Sequence, residues 1–194
     1  PPRSTLFPYT TLFRSEENYF ESAKGDARSI ENNIGDYKIC ASQICFNAQQ
    51  LVEKLLKSIY SFYGLKPEKT HDLRRLAGDL ADRGYLDIDD HFKRNCGFLT
   101  QNATSSRYIP FESSEYGEVL EALIAANEIA EHLEKQGYDV IKIDVPARRL
   151  RDIFVDEHEN VEDLDKLMTD KISESALYNA DSQDFRYESK TRLR

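Results

Sequence analysis

Four residues in the middle of the chain are of the types that hold a phosphate and stack a base: Lys69, His71, Arg107 and Tyr108. Lysine offers a point charge, and arginine a planar fork that can grip two phosphate oxygens at once. Tyr108 adds a ring on which a base can stack. His71 is expected at the first turn of a helix, where free backbone N–H groups attract an anion and the helix dipole favours the neutral imidazole. Lys54 and Lys57 join this set from the polar edge of the preceding helix, with Glu53 and Lys57 spaced as an i,i+4 pair of the favourable orientation. The same residues also read as architecture: Thr70 as an N-cap, His71 bonded to a loop carbonyl, Arg107 paired with an acid, and Glu53 and Lys57 lining the face where the Arg107 loop packs. His91 and His132 have no chemically suitable neighbours in sequence and read as surface or boundary residues.

These side chains depend on helices to position them. Tyr37 to Tyr63 carries apolar residues at Ile44, Ala48, Leu51, Leu55, Ile59 and Phe62, with Cys45, Val52, Leu56 and Tyr63 beside them. An apolar arc this wide is contacted from two sides, which makes this long helix the centre of a bundle. A first helix is expected from Glu16 to Asn33, with Lys24-Gly25-Asp26 as a place to kink or fray and Asp36 as the N-cap of the long helix. Thr70 is expected to cap a short helix with Leu73, Leu76, Ala77 and Leu80 inward, and Asp87 to cap a fourth through Ile88, Phe92, Cys96 and Leu99. Gln101 to Ser114 reads as a loop and Tyr116 to Gln136 as the last helix. Gly64, Gly84 and Gly137 stand where helices should stop. Tyr138 to Ile143 alternates like a short strand. The expected fold is therefore an all-α, up-down bundle of about five helices, followed by a charged C-terminal extension, residues 138–194, partly helical and partly disordered.

Composition limits the function classes. The net charge is −9, which repels nucleic acid on average and demands a local basic patch for any such contact. Arg148, Arg149 and Arg151 form such a patch in the extension, but acids come directly after it. Three cysteines, Cys40, Cys45 and Cys96, contain no CxxC pair. They argue against a zinc knuckle or disulfide framework and are expected as buried thiols in a reducing cytoplasm. No apolar run is long enough to span a membrane. Pro1 to Ser15 breaks sharply in composition from the acid-rich sequence that begins at Glu16. It has no acid, and it back-translates without a gap into an adapter oligonucleotide of short-read sequencing. It is therefore expected to be adapter-derived and is set apart from the fold, with the native start expected to lie before Glu16. Without its two arginines, Arg3 and Arg14, the charge of −9 becomes −11.

Three stretches taken in order resemble the HEPN family of small α-helical domains. Phe46-Asn47-Ala48-Gln49-Gln50-Leu51-Val52-Glu53-Lys54-Leu55-Leu56-Lys57 resembles that family's "HAQQAxEKxLKA" helix, Lys69-Thr70-His71-Asp72-Leu73 its "KTHDL" helix start, and Ser106-Arg107-Tyr108-Ile109-Pro110 its "ARYP" loop. The resemblance covers residues 16–137. It implies a bundle that pairs as a homodimer and either a metal-independent ribonuclease toxin, restrained by a small nucleotidyltransferase, or a non-nuclease member that binds nucleotide or acts as a partner. It implies no cofactor and no metal.

Nuclease members carry an Arg-x(4–6)-His motif. Arg94 and Arg107 have no histidine at that spacing, while Arg151 and His158 fit it with six residues between them. With 4 histidines in the chain, about one such match arises by chance. This one lies past the last bundle helix among acids that repel a phosphate. Asn47 stands where the family often has histidine. The sequence thus points to a nuclease-degenerate HEPN domain binding nucleotide or nucleic acid, or paired with a nucleotidyltransferase in a toxin–antitoxin or defence locus. The alternatives are a ribonuclease acting through Arg151 and His158, or a dimeric interaction module without ligand.

Overall fold

The computed structural model describes residues 18–105, 116–146, 149, 150 and 153. They form five α-helices: α1 Tyr19–Asn33, α2 Tyr37–Phe62, α3 Leu73–Asp82, α4 Asp90–Ser105 and α5 Tyr116–Lys135. No strand occurs among the described residues.

Asn18 starts α1, its side-chain oxygen accepting the Glu21 N–H at 3.2 Å. The helix then runs unbroken through Lys24-Gly25-Asp26 and buries Ala23, Ala27 and Ile30. A single 3-10 turn, Ile34–Asp36, leads directly into α2. Asp36 stands at the N-cap position of α2, as expected, with its backbone outside the helical region (φ −115°, ψ 37°), but its side chain makes no cap hydrogen bond. α1 and α2 fold back as an antiparallel hairpin, shown by three nested pairs: Asn33 with Cys40, Ser29 with Asn47, and Asp26 with Lys54.

At 26 residues, α2 is about 39 Å long. It contacts all four other helices, as its double apolar stripe requires. Phe62 departs from that stripe. It is exposed past the end of the bundle, set edge-on against Tyr63 and Tyr138. Of the cysteines, Cys45 and Cys96 are buried, and burial pushes the Cys96 thiol up to about 12. Cys40 is only half-buried, its thiol donating to Asn33 Oδ1 at 3.6 Å.

α2, α3 and α5 end alike. Gly64, Gly84 and Gly137 take positive φ, and the residue after each donates its N–H five residues back: Leu65 to Tyr60, Tyr85 to Leu80, Tyr138 to Leu133. These are Schellman caps, in which glycine adopts the left-handed conformation without a Cβ penalty. They bring Tyr63 and Tyr85 into a stack at 4.0 Å. At the start of α4 the cap is Asp89, accepting the Phe92 N–H at 2.7 Å, rather than Asp87. α4 continues to Ser105, into the stretch expected as loop.

Tyr138 to Ile143 do not form the expected strand, and among the described residues there is no strand for them to pair with. A side chain takes that part: Asn127 donates to Ile143 O at 2.9 Å and accepts from Ile143 N at 2.8 Å. Ile143, Val145, Leu150 and Ile153 are then buried with the bundle core, so the chain past Gly137 contributes to it.

Candidate functional site

The polar edge of α2 converges on one carboxylate. Gln49, Glu53 and Lys57 are four residues apart and share a face directed at the connection into α3. The Glu53 side chain is only 5% exposed. It accepts from Lys57 Nζ at 2.7 Å, Gln49 Nε2 at 3.0 Å, Gln50 Nε2 at 3.3 Å, and His71 Nδ1 at 3.0 Å. A buried carboxylate is costly unless paired and hydrogen-bonded, and this one is both. Burial alone would raise its pKa. The hydrogen bonds from Lys57, Gln49 and His71 outweigh burial and hold it below the usual glutamate value.

The same cluster fixes the α2–α3 connection. Gln49 Nε2 also donates to the His71 carbonyl at 3.0 Å, so His71 is held by backbone and ring together. An ionised carboxylate only accepts, so His71 Nδ1 carries the hydrogen. The ring remains 80% exposed, and Nε2 makes no hydrogen bond among the described residues.

His71 lies one residue before the N-cap instead of in the first helical turn. The cap is Asp72, whose Oδ1 accepts from Arg74 N at 2.9 Å and Arg75 N at 3.3 Å. Thr70, the expected cap, accepts the Asp72 N–H at 3.1 Å, bracing the cap from outside the helix. Leu73 N donates to Thr100 Oγ1 at 3.1 Å. The first amides of α3 are therefore all bonded within the protein, and the expected open anion seat of backbone N–H groups is not there. Any anion at this corner must be met by side chains.

The lysines divide. Lys57 is bound to Glu53, and Lys54 Nζ lies 2.5 Å from Asp26 Oδ2, so both ammonium groups face internal carboxylates. Burial holds the Asp26 carboxyl above its ordinary value against the pull of Lys54. Lys69 is exposed with no ion pair among the described residues. Arg107, Tyr108, Arg151 and His158 lie outside the described residues. Asn47 is buried, accepting from Gln43 and donating to Ser29 Oγ at 2.7 Å, so it joins α1 to α2.

His91 and His132 have partners after all. His91 Nε2 is 2.9 Å from Glu128 Oε2, and His132 Nε2 donates to Asp87 O at 2.6 Å. Glu128 lies 37 residues from His91, a separation no local pattern records. Gln49 is a further site residue that its sequence context did not single out; its spacing of four from Glu53 was the available signal. Among the described residues, no group of three or more His, Cys, Asp or Glu could hold a metal, and no helix is long and apolar enough to cross a membrane.

No curated protein and no solved structure matches the chain. A family model, the HEPN domain, matches residues 16–136. With that match over most of its length and a bundle of helices centred on α2, the chain belongs to the HEPN family.

Proposed function

We propose that this HEPN domain is not a nuclease and binds a phosphate-bearing ligand, a nucleotide or RNA, at the corner between α2 and α3. Lys69 and His71 supply the contacts there; Arg107 and Tyr108, which lie outside the described residues, are candidates from the sequence alone. One observation carries the reading: Glu53 orients the His71 ring through Nδ1 while leaving the ring exposed, so Nε2 is aimed by a buried carboxylate and has no partner among the described residues. Such second-group orientation distinguishes a positioned imidazole from a casual surface one. Lys54 and Lys57 serve this site by holding Asp26 and Glu53. The missing Arg-x(4–6)-His spacing at Arg94 and Arg107 supports a non-nuclease role.

Family membership also supports association: the domain pairs as a dimer and works beside a small nucleotidyltransferase in a toxin–antitoxin or defence locus. Calorimetric titration with ATP and with a short single-stranded RNA tests the binding. His71→Ala and Lys69→Ala should each weaken affinity about tenfold, or about 1.4 kcal/mol, without unfolding the domain. If both variants bind as the parent does, the corner is not the site. Metal-free cleavage of labelled RNA by the pure protein would overturn the non-nuclease reading.

A further inference from the structure

Gly97 interrupts the middle of α4, where glycine weakens a helix relative to alanine. What it makes room for lies on the neighbouring helix. A Cβ at Gly97 would stand 1.9 Å from Arg74 Nη2, 2.2 Å from its Cζ and 2.3 Å from its Nε. The guanidinium of Arg74, the second residue of α3, thus rests directly on the α4 backbone in a space that any side chain at Gly97 would fill. There Arg74 Nε donates to the Lys93 carbonyl at 3.1 Å. Gly97 is four residues beyond Lys93, so the anchoring carbonyl and the cleared seat lie one above the other on a single face of α4.

This arrangement binds one edge of the guanidinium and leaves the other. Arg74 is exposed, and its two terminal nitrogens make no hydrogen bond or ion pair among the described residues. The nearest carboxylate in sequence, Asp72, is engaged in capping the Arg74 and Arg75 amides. An arginine anchored through Nε with Nη1 and Nη2 unbonded is set up to hold two oxygens of one phosphate, and the anchoring has already removed side-chain freedom that binding would otherwise cost. His71 and Lys69 lie on the same approach to α3, and Lys93 and Arg94 are exposed on α4 beside the anchor. These are the basic side chains near Arg74 that an anionic ligand of a chain of net charge −9 would draw on, although Lys93 lies 3.8 Å from Asp90.

We propose that Arg74, seated on Gly97 and tied to the Lys93 carbonyl, is the phosphate-gripping fork of the α2–α3 corner. This assignment rests on phosphate binding at that corner and names the group that makes the bidentate contact. The ligand class is a phosphate ester or anhydride with an unshielded phosphate, met by the guanidinium edge.

Gly97→Ala is the discriminating variant, because it alters no charge. The added methyl meets only the far end of a flexible side chain, so Arg74 must swing away while α4 gains a better helix former. Calorimetry with ATP and with inorganic pyrophosphate, alongside thermal melts, should show Gly97→Ala and Arg74→Ala each weakening both ligands about tenfold. The double variant should lose no more than either single one, since both remove one fork. Arg74→Lys, which keeps the charge but not the fork, should lose nearly as much. Gly97→Ala should melt no lower than the parent. If Gly97→Ala and Arg74→Ala bind as the parent does while His71→Ala loses affinity, the fork assignment fails and the corner site stands. Arg74→Ala losing affinity while Gly97→Ala keeps it would overturn the role of the glycine seat. A lowered melting temperature in Gly97→Ala with unchanged affinity would make the contact a structural clip and overturn the proposal. If the parent binds none of ATP, pyrophosphate and the short single-stranded RNA, the fork and the corner site both fall.

Discussion

His71 Nδ1 stands 3.0 Å from Glu53 Oε2, tying the approach to α3 to the middle of α2 through a carboxylate almost wholly removed from water. Glu53 also holds Lys57 and two glutamines, so one acid organises both the polar edge of the central helix and the loop that leaves it. The corner is rigid on its inner side and open on its outer side. That asymmetry is what a binding loop needs, since its contacts must be placed before the ligand arrives.

Glu53 and Asp26 should respond to acid in opposite senses. Glu53 titrates below its ordinary 4.5 in the folded protein, so its stabilisation is complete above that value and is lost as pH falls through the folded pKa. Asp26 is held above 3.8 by burial, so the folded chain binds its proton more tightly than the unfolded chain, and its contribution declines as pH rises through that range. Urea unfolding followed between about pH 3 and pH 7 should show Glu53→Gln flattening the acid limb and Asp26→Asn steepening it. At neutral pH Glu53→Gln should cost about 2 kcal/mol, because Lys57 is left partly buried without its counter-charge. An unchanged acid limb in Glu53→Gln would show that this network does not act through its charge.

The α3 cap gives a second comparison. Asp72→Ala removes the acceptor of two amide bonds and should cost about 1 kcal/mol. Thr70→Ala removes only the brace behind the cap and should cost about half of that or less. Equal losses in thermal melts, or a larger loss for Thr70→Ala, would reverse the assignment.

Asn127 carries the third. Its carboxamide satisfies both the N–H and the C=O of Ile143, all within the buried core. Asn127→Ala leaves two buried backbone groups without partners and should destabilise the fold by about 2–4 kcal/mol. Amide exchange at Ile143 should accelerate ahead of exchange in α2. If the Ile143 amide stays protected in the variant, the clamp is not what holds residues 138–146 to the bundle.

What could be read along the chain was what repeats within one or two turns. The stripe from Ile44 to Ile59 made α2 the central helix, and its width told of contact on two sides. Gly64, Gly84 and Gly137 marked their helix ends, because a left-handed residue is a local steric matter. The family stretches were legible for the same reason: each is a short contiguous run of sequence, and residues 16–136 match the family.

Contacts between elements decided the rest. Thr70 and Asp72 are both good caps by composition, and only the backbone path chose Asp72. The alternating run Tyr138 to Ile143 has strand periodicity, yet with no strand among the described residues to pair with, the carboxamide of Asn127 took the pairing. Glu53 with His71, His91 with Glu128, and Arg74 over Gly97 join residues 18 to 37 positions apart in the two hydrogen bonds and across two helices in the third. Helix periodicity is a property of one segment and its own turns. Side-chain hydrogen bonding and clearance between helices depend on how segments are laid against each other, so they appear only when the bundle is assembled.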